Sequence, residues 1–122
     1  MQKIQSFTDL NAWKEAHVLV LNIYKETKKF PDDEKFGLTN QMRRSAVSIT
    51  SNIAEGFSRK GTKEKIQYCY LALGSLAELQ NQLVISRDIG YISNTDFRLL
   101  AEKSIIVSKL INGLIKSKSH TT

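Results

Sequence analysis

The chain of 122 residues has one cysteine, one proline, two histidines and six glycines, and each scarcity removes a class of explanation. A lone Cys69 rules out an intrachain disulfide and a cysteine-based zinc site. Set among Tyr68, Tyr70, Leu71 and Leu73, it reads as a small buried filler. Neither His17 nor His120 follows a glutamate by three residues, so the paired Glu-x-x-His ligands of a di-iron bundle cannot be assembled. No glycine-rich loop follows a strand pattern, so no cradle for a dinucleotide or triphosphate is present. A Ser-His-Asp arrangement would need His17, beside a core face, or His120 at the far end of the chain. The residues therefore read as a non-enzyme, with no cofactor and no metal expected. No apolar run approaches the roughly 20 residues that span a bilayer. The residues before Ser6 form no apolar leader, so a cytoplasmic protein without membrane contact is expected. So few glycines and prolines also leave few places to break a helix.

Apolar residues do recur at helical spacing throughout. Leu10, Trp13, Ala16, Val20 and Ile23 mark a first helix, expected over about 8–29, opened by Ser6-Phe7-Thr8-Asp9 as a capping box and closed before Pro31. A second is expected over 38–58, with Met42, Ile49 and Ile53 inward. A third, over 62–88, has Thr62 placed as its cap and Gly90 just beyond its end. Ser93-Asn94-Thr95-Asp96 opens a fourth over 94–116, leaving a basic tail at 117–122. Connections of about 4 to 8 residues favour antiparallel neighbours. The expected fold is a single all-α domain over 1–122, an antiparallel up-down-up-down four-helix bundle. Val18, Leu21, Ile85, Ile105 and Ile106 exceed what one bundle can cover, which suggests a subunit interface.

Two polar features carry the functional argument. Gln41, Ser45, Ser48, Asn52 and Glu55 follow one another at steps of four, three, four and three, a stripe of small polar groups ending in a carboxylate. Serine and asparagine are mediocre helix formers, so the stripe suggests close contact with another helix or subunit. A solvated face that collected serines is the plainer alternative. Glu78 lies on a matching stripe of the third helix with Ser75 and Gln82, and Arg43 or Arg44 are candidate cationic partners for Glu55 and Glu78 within an oligomer, unless both carboxylates are simply solvated. The second feature is charge. Eighteen Lys and Arg against twelve Asp and Glu give +6, an excess that favours polyanions, nucleic acid first. Arg59, Lys60, Lys63 and Lys65 gather at the turn between the second and third helices. Arg43 and Arg44 belong to a looser second group, and ordinary surface lysine remains the alternative for both.

Phe7-Thr-Asp-Leu-Asn-Ala-Trp13, Phe30-Pro31, Gln41-Met-Arg-Arg44, Asn52-Ile-Ala-Glu-Gly56, Gly74-Ser-Leu-Ala-Glu-Leu79 and Gly90-Tyr-Ile92 occur in that order. This combination resembles the bacterial four-helix bundle proteins encoded in intervening sequences of 23S ribosomal RNA genes. The match covers about residues 6–115, although Ser45 and Ser51 stand where alanine would be expected. The resemblance implies a ring-like homopentamer with a basic surface, and RNA or DNA is the partner expected from the charge. It also implies kinship with the accessory protein of diversity-generating retroelements, and hence a reverse transcriptase as an alternative partner. Carried over to this chain, it implies structural positions and no catalytic ones: Trp13, Asn52, Glu55, Ser75 and Glu78.

Overall fold

The computed structural model describes residues 3–119. Four helices dominate: α1 Asn11–Thr27, α2 Leu38–Ser58, α3 Thr62–Asp88 and α4 Asn94–Ser119. Short 3₁₀ turns at Phe7–Asp9 and Asp32–Glu34 precede α1 and α2, and no strand occurs among the described residues. Side chains three, four and seven apart on each helix meet in one core. Leu19 and Ile23 from α1, Met42 and Ile49 from α2, Leu76, Leu79 and Leu83 from α3, and Val107 and Ile111 from α4 are all but inaccessible. Burying each such side chain contributes about 1.5 to 3 kcal/mol, which is why the apolar faces set the helix order.

Side-chain partners fix the directions. Along α2, Met42 meets Ser86, Ser48 meets Ser75 and Gly56 meets Tyr68, so α3 runs opposite to α2. Gln80 bonds to Ser104 while Cys69 shares a cleft with Leu114 and Lys118, so α4 opposes α3. Thr27 meets Arg43, and Leu10 shares a cleft with Ile53, so α1 opposes α2. Each helix packs on its chain neighbours, α4 closes onto α1, and the diagonal pairs do not pack. The up-down-up-down bundle is the observed fold.

Most departures from expectation lie at helix ends. The Ser6–Asp9 capping box forms, with Asp9 Oδ2 accepting from the Ser6 and Gln5 amides at 3.1 and 2.9 Å. It closes the 3₁₀ turn rather than α1, because Leu10 is extended (φ −73°, ψ 130°) and the helix restarts at Asn11 instead of residue 8. Those two amide bonds hold the Asp9 carboxyl below the usual aspartate range. At its other end α1 stops at Thr27, two residues early, where the Thr27 hydroxyl donates back to the Ile23 carbonyl at 2.7 Å. The boundaries of α2 and α3 coincide with those expected. Thr62 does not cap α3; Gly61 occupies that position without a side-chain bond. Ser93 does cap α4, its hydroxyl accepting from the Asp96 amide at 3.1 Å. That helix runs on to Ser119, past the expected end at 116, whereas 1–2 and 120–122 lie outside the described residues.

Two glycines have a geometric reason. Gly90 sits at φ +87°, the left-handed region, and ends α3 with paired bonds: its amide donates to Arg87 and the Tyr91 amide to Ser86 at 2.8 Å. Gly56 is buried where α2 approaches α3, and a Cβ there would lie 2.9 Å from the Tyr68 Cβ.

Candidate nucleic-acid interface

Antiparallel packing brings residues 3–20, 49–75 and 107–119 to one end of the bundle and 21–48 and 76–106 to the other. The first set holds nine Lys and Arg against four Asp and Glu, an excess of +5. The second holds nine against eight, an excess of +1. Nearly all of the net charge of +6 is therefore concentrated at one end.

The expected cluster at the α2–α3 turn sits on that end, and its four members are used differently. Arg59 is half-committed to the fold: its guanidinium donates to Glu55 Oε2 at 3.1 Å and to the Tyr68 hydroxyl at 2.8 Å, and stacks over the Tyr68 ring at 4.9 Å. Lys65 folds back to the end of α2, donating to the Phe57 carbonyl at 2.9 Å and the Gly56 carbonyl at 3.4 Å. A cation there answers the negative end of the helix dipole. Lys60 and Lys63 are exposed. All four are basic side chains at one turn, but Lys60 and Lys63 are freest to follow a phosphate.

Sequence distance hid the rest of this end. Lys3 and Lys14 arrive from the start of the chain, and Lys109, Lys116 and Lys118 from α4. Lys118 lines the same cleft as Lys65, an apolar pocket of about 220 Å³ that also touches Cys69. Cys69 is buried, and burial pushes its thiol up, which suits a filler. The readable signal for these lysines was topological: in an up-down-up-down bundle the end of the fourth helix must return to the turn between the second and third.

The small-polar stripe faces α3, and the two ridges touch. Ser48 and Ser75 share a hydrogen bond of 2.8 Å, and the Ser45 hydroxyl donates to Glu78 Oε2 at 3.3 Å. Asn52 bonds within its own helix, to the Ser48 carbonyl at 2.9 Å. Glu55 is exposed and pairs with Arg59 in a surface ion pair, a contact worth about 0 to 1 kcal/mol. Within a single chain neither arginine pairs with Glu78, so the contact expected in an oligomer would have to come from a second subunit. Arg43 turns away to Thr27 Oγ1 at 2.9 Å and over the Tyr24 ring at 4.6 Å, and Arg44 is exposed without an ion pair. Both arginines lie on the less charged end, apart from the α2–α3 turn. Trp13 is half-buried, stacked on His17 at 4.6 Å and edge-on to Phe7 at 5.5 Å, a packing role at the start of α1.

Among the described residues no cluster of His, Cys, Asp and Glu could hold a metal ion, and no helix is long and apolar enough to cross a membrane. A search of curated proteins finds no match. Among solved structures, one similar protein is described as of unknown function, from the S23 ribosomal protein family of Bacteroides thetaiotaomicron VPI-5482. It superposes with a TM-score of 0.80 at 23% identity, over 86% of this chain and 95% of that one. That likeness establishes the shared fold. The profile of the 23S rRNA-intervening sequence proteins matches residues 8–113, nearly the whole helical domain. The chain belongs to the 23S rRNA-intervening sequence protein family.

Proposed function

We propose that this protein is a non-enzymatic nucleic-acid binder, acting through the phosphate backbone at its basic end and working as a homo-oligomer. The observation that carries the reading is the concentration of charge, +5 of +6, on the end that gathers the α2–α3 turn and the end of α4. A one-sign surface raises the local concentration of polyanions, and each neutralised phosphate releases counterions. The family description names ribosomal RNA, which makes structured RNA the first polyanion to test.

Oligomerisation is supported by uncovered apolar side chains. Val18 and Leu21 on α1, Tyr70, Leu71, Val84 and Ile85 on α3, and Ile105 and Ile106 on α4 are each 38–57% exposed. Gly74, mid-α3, has nothing within 4 Å of where a Cβ would stand. Within one chain it costs about 1 kcal/mol of helix propensity relative to alanine with nothing gained. A second subunit against α3 would give that missing side chain a use. The resemblance sets the number at five, and five chains of 13.8 kDa make 69 kDa. A ring of five repeats the basic end five times and raises avidity without a new kind of contact.

Filter binding of RNA and duplex DNA at about 50 and 200 mM salt tests the function, with light scattering alongside. Backbone binding by six or more contacts predicts a loss of at least about a thousandfold between the two salts. Absence of binding at the lower salt rejects it, and a 13.8 kDa particle at micromolar concentration rejects the oligomer.

A further inference from the structure

A polar cleft of about 410 Å³ lies between α2 and α3, in the size range of small-molecule sites. It is on the less charged half of the bundle and is lined by Phe36, Asn40, Arg44, Ser45, Glu78 and Gln82, among others. Three of its features are only partly used within a single chain. Gln82 is 92% buried, with 8% of its surface exposed, yet its side-chain carbonyl oxygen has no hydrogen-bond partner. Buried polar atoms in native folds are nearly always satisfied, and because Gln82 lines the cleft, a turn of its side-chain amide brings this acceptor to a donor that enters there. Phe36 is 88% exposed, the most exposed large apolar side chain among the described residues, and its ring meets only the Lys35 ammonium, 5.7 Å from its centre, a surface contact that a stacked base can displace. Arg44 and Glu78 line the same space without pairing, and Glu78 accepts one bond only, from Ser45 at 3.3 Å.

We infer that this cleft binds an unpaired guanine base, stacked on Phe36, with Glu78 and Gln82 accepting from its Watson–Crick edge and Arg44 donating to its O6 and N7. The ligand must be flat and apolar on its face to use Phe36, and must carry both donors and acceptors on its rim. Unpaired bases meet that description, being recognised by aromatic stacking together with hydrogen bonds to their edges. Guanine answers the charged pair most fully. Its N1–H and N2–H₂ are adjacent donors for a carboxylate, and its O6 and N7 are the acceptors that arginine takes two at a time. Cytosine offers the carboxylate a single donor group, uracil offers N3–H flanked by two acceptors, and adenine sets its amino group against the guanidinium. The base can come from a free nucleotide or from a single strand, and the site does not depend on the basic end.

The test is an NMR titration of the nitrogen-labelled protein with guanosine 5′-monophosphate, and separately with the adenosine, cytidine and uridine monophosphates. It is paired with fluorescence anisotropy of the RNAs U₄GU₄ and U₉. Guanosine monophosphate is expected to shift the Gln82 side-chain amide and to bind about tenfold more tightly than the other three. Glu78→Gln should reduce it to their level. Phe36→Ala, at a position exposed enough to leave the fold intact, should weaken every nucleotide by about fivefold or more. A guanine preference in the RNA pair as well assigns the site to strands, and a preference confined to the monophosphate assigns it to free nucleotide. Equal affinity for all four nucleotides, or shifts that avoid Gln82, overturns the inference. So does a Glu78→Gln variant that loses oligomer mass while guanosine monophosphate leaves the cleft unshifted, which makes the cleft a subunit contact. Failure of U₉ to bind at low salt counts against the backbone function and leaves the monophosphate result to decide this one.

Discussion

The two ends of the bundle carry the same number of cations, nine each among Lys and Arg, and differ in carboxylates, four against eight. At the less charged end Asp32, Asp33 and Glu34 fill the α1–α2 connection, and Asp88 and Asp96 flank the α3–α4 turn, so lysines and arginines there are answered locally. Glu26 and Asp96 even face each other across α1 and α4. At the basic end the α2–α3 turn holds Arg59, Lys60 and Lys63 before a single acid, Glu64. What distinguishes a candidate polyanion surface in this fold is the absence of acids. Counting cations alone ranks Arg43 and Arg44 beside the turn cluster; counting both signs separates them.

The ends also use glycine differently, and substitution sharpens the contrast. Gly56→Leu forces a side chain into the α2–α3 contact beside Tyr68, with an expected loss of about 3 kcal/mol in urea unfolding. Gly90→Ala at the other end has open space around it and pays only for its φ of +87°, so about 1 to 2 kcal/mol is expected in the same experiment. Gly74→Ala, between the ends, should stabilise an isolated chain by up to about 1 kcal/mol. The bulkier Gly74→Leu should lower the mass in light scattering if α3 faces a neighbour.

Acid separates the ends in the smallest of these effects. Asp9, at the basic end, has its carboxyl lowered by the Gln5 and Ser6 amides, so it contributes stability above its unfolded value that is lost as pH falls through its folded value, below about pH 4. Glu26, at the other end, has its carboxyl raised by burial and by Asp96. Its contribution has the opposite sign: it is fully present below its unfolded value, near pH 4, and is lost as pH rises through the folded value. Carboxyl-carbon NMR should find Asp9 titrating below Glu26. Glu26→Gln should raise Tm at pH 7 and leave it unchanged at pH 4.

Helix identity and order were legible in the sequence because Met42, Ile49 and Ile53, or Leu76, Leu79 and Leu83, repeat at spacings that only a helix turns into one face. The bounds of α2 and α3 followed from Gly37, Gly61 and Gly90. The ends of α1 did not, because an extended Leu10 and the back-bonded Thr27 leave no mark in periodicity. The turn cluster was visible since its residues are contiguous, whereas its companions Lys14, Lys109 and Lys116 were separated by whole helices. Side-chain allegiance was the least legible. Arg43 settling on Thr27 and Tyr24 depends on which of two flanking helices its guanidinium reaches, and spacing along α2 does not decide that. The α2–α3 cleft was foreshadowed by its serines and Glu78, but Phe36 at its mouth stands in the connection before α2, outside any periodic pattern.

Moving equal charge from each end in turn puts the account to its most direct test. Lys60→Glu, Lys63→Glu and Lys116→Glu change the basic end by −6, and Lys25→Glu, Lys28→Glu and Lys29→Glu change the other end by the same amount; all six positions are exposed lysines. Affinity for a structured RNA is then measured as a function of salt. The basic-end variant should bind at least a hundredfold more weakly at about 50 mM salt, with its log–log slope shallower by roughly three phosphate contacts at about 0.7 to 0.9 each. The other variant should keep its slope and stay within a few fold of wild type. Equal losses from the two variants would contradict the account, since net charge alone, and not its placement at one end of the bundle, would then govern binding.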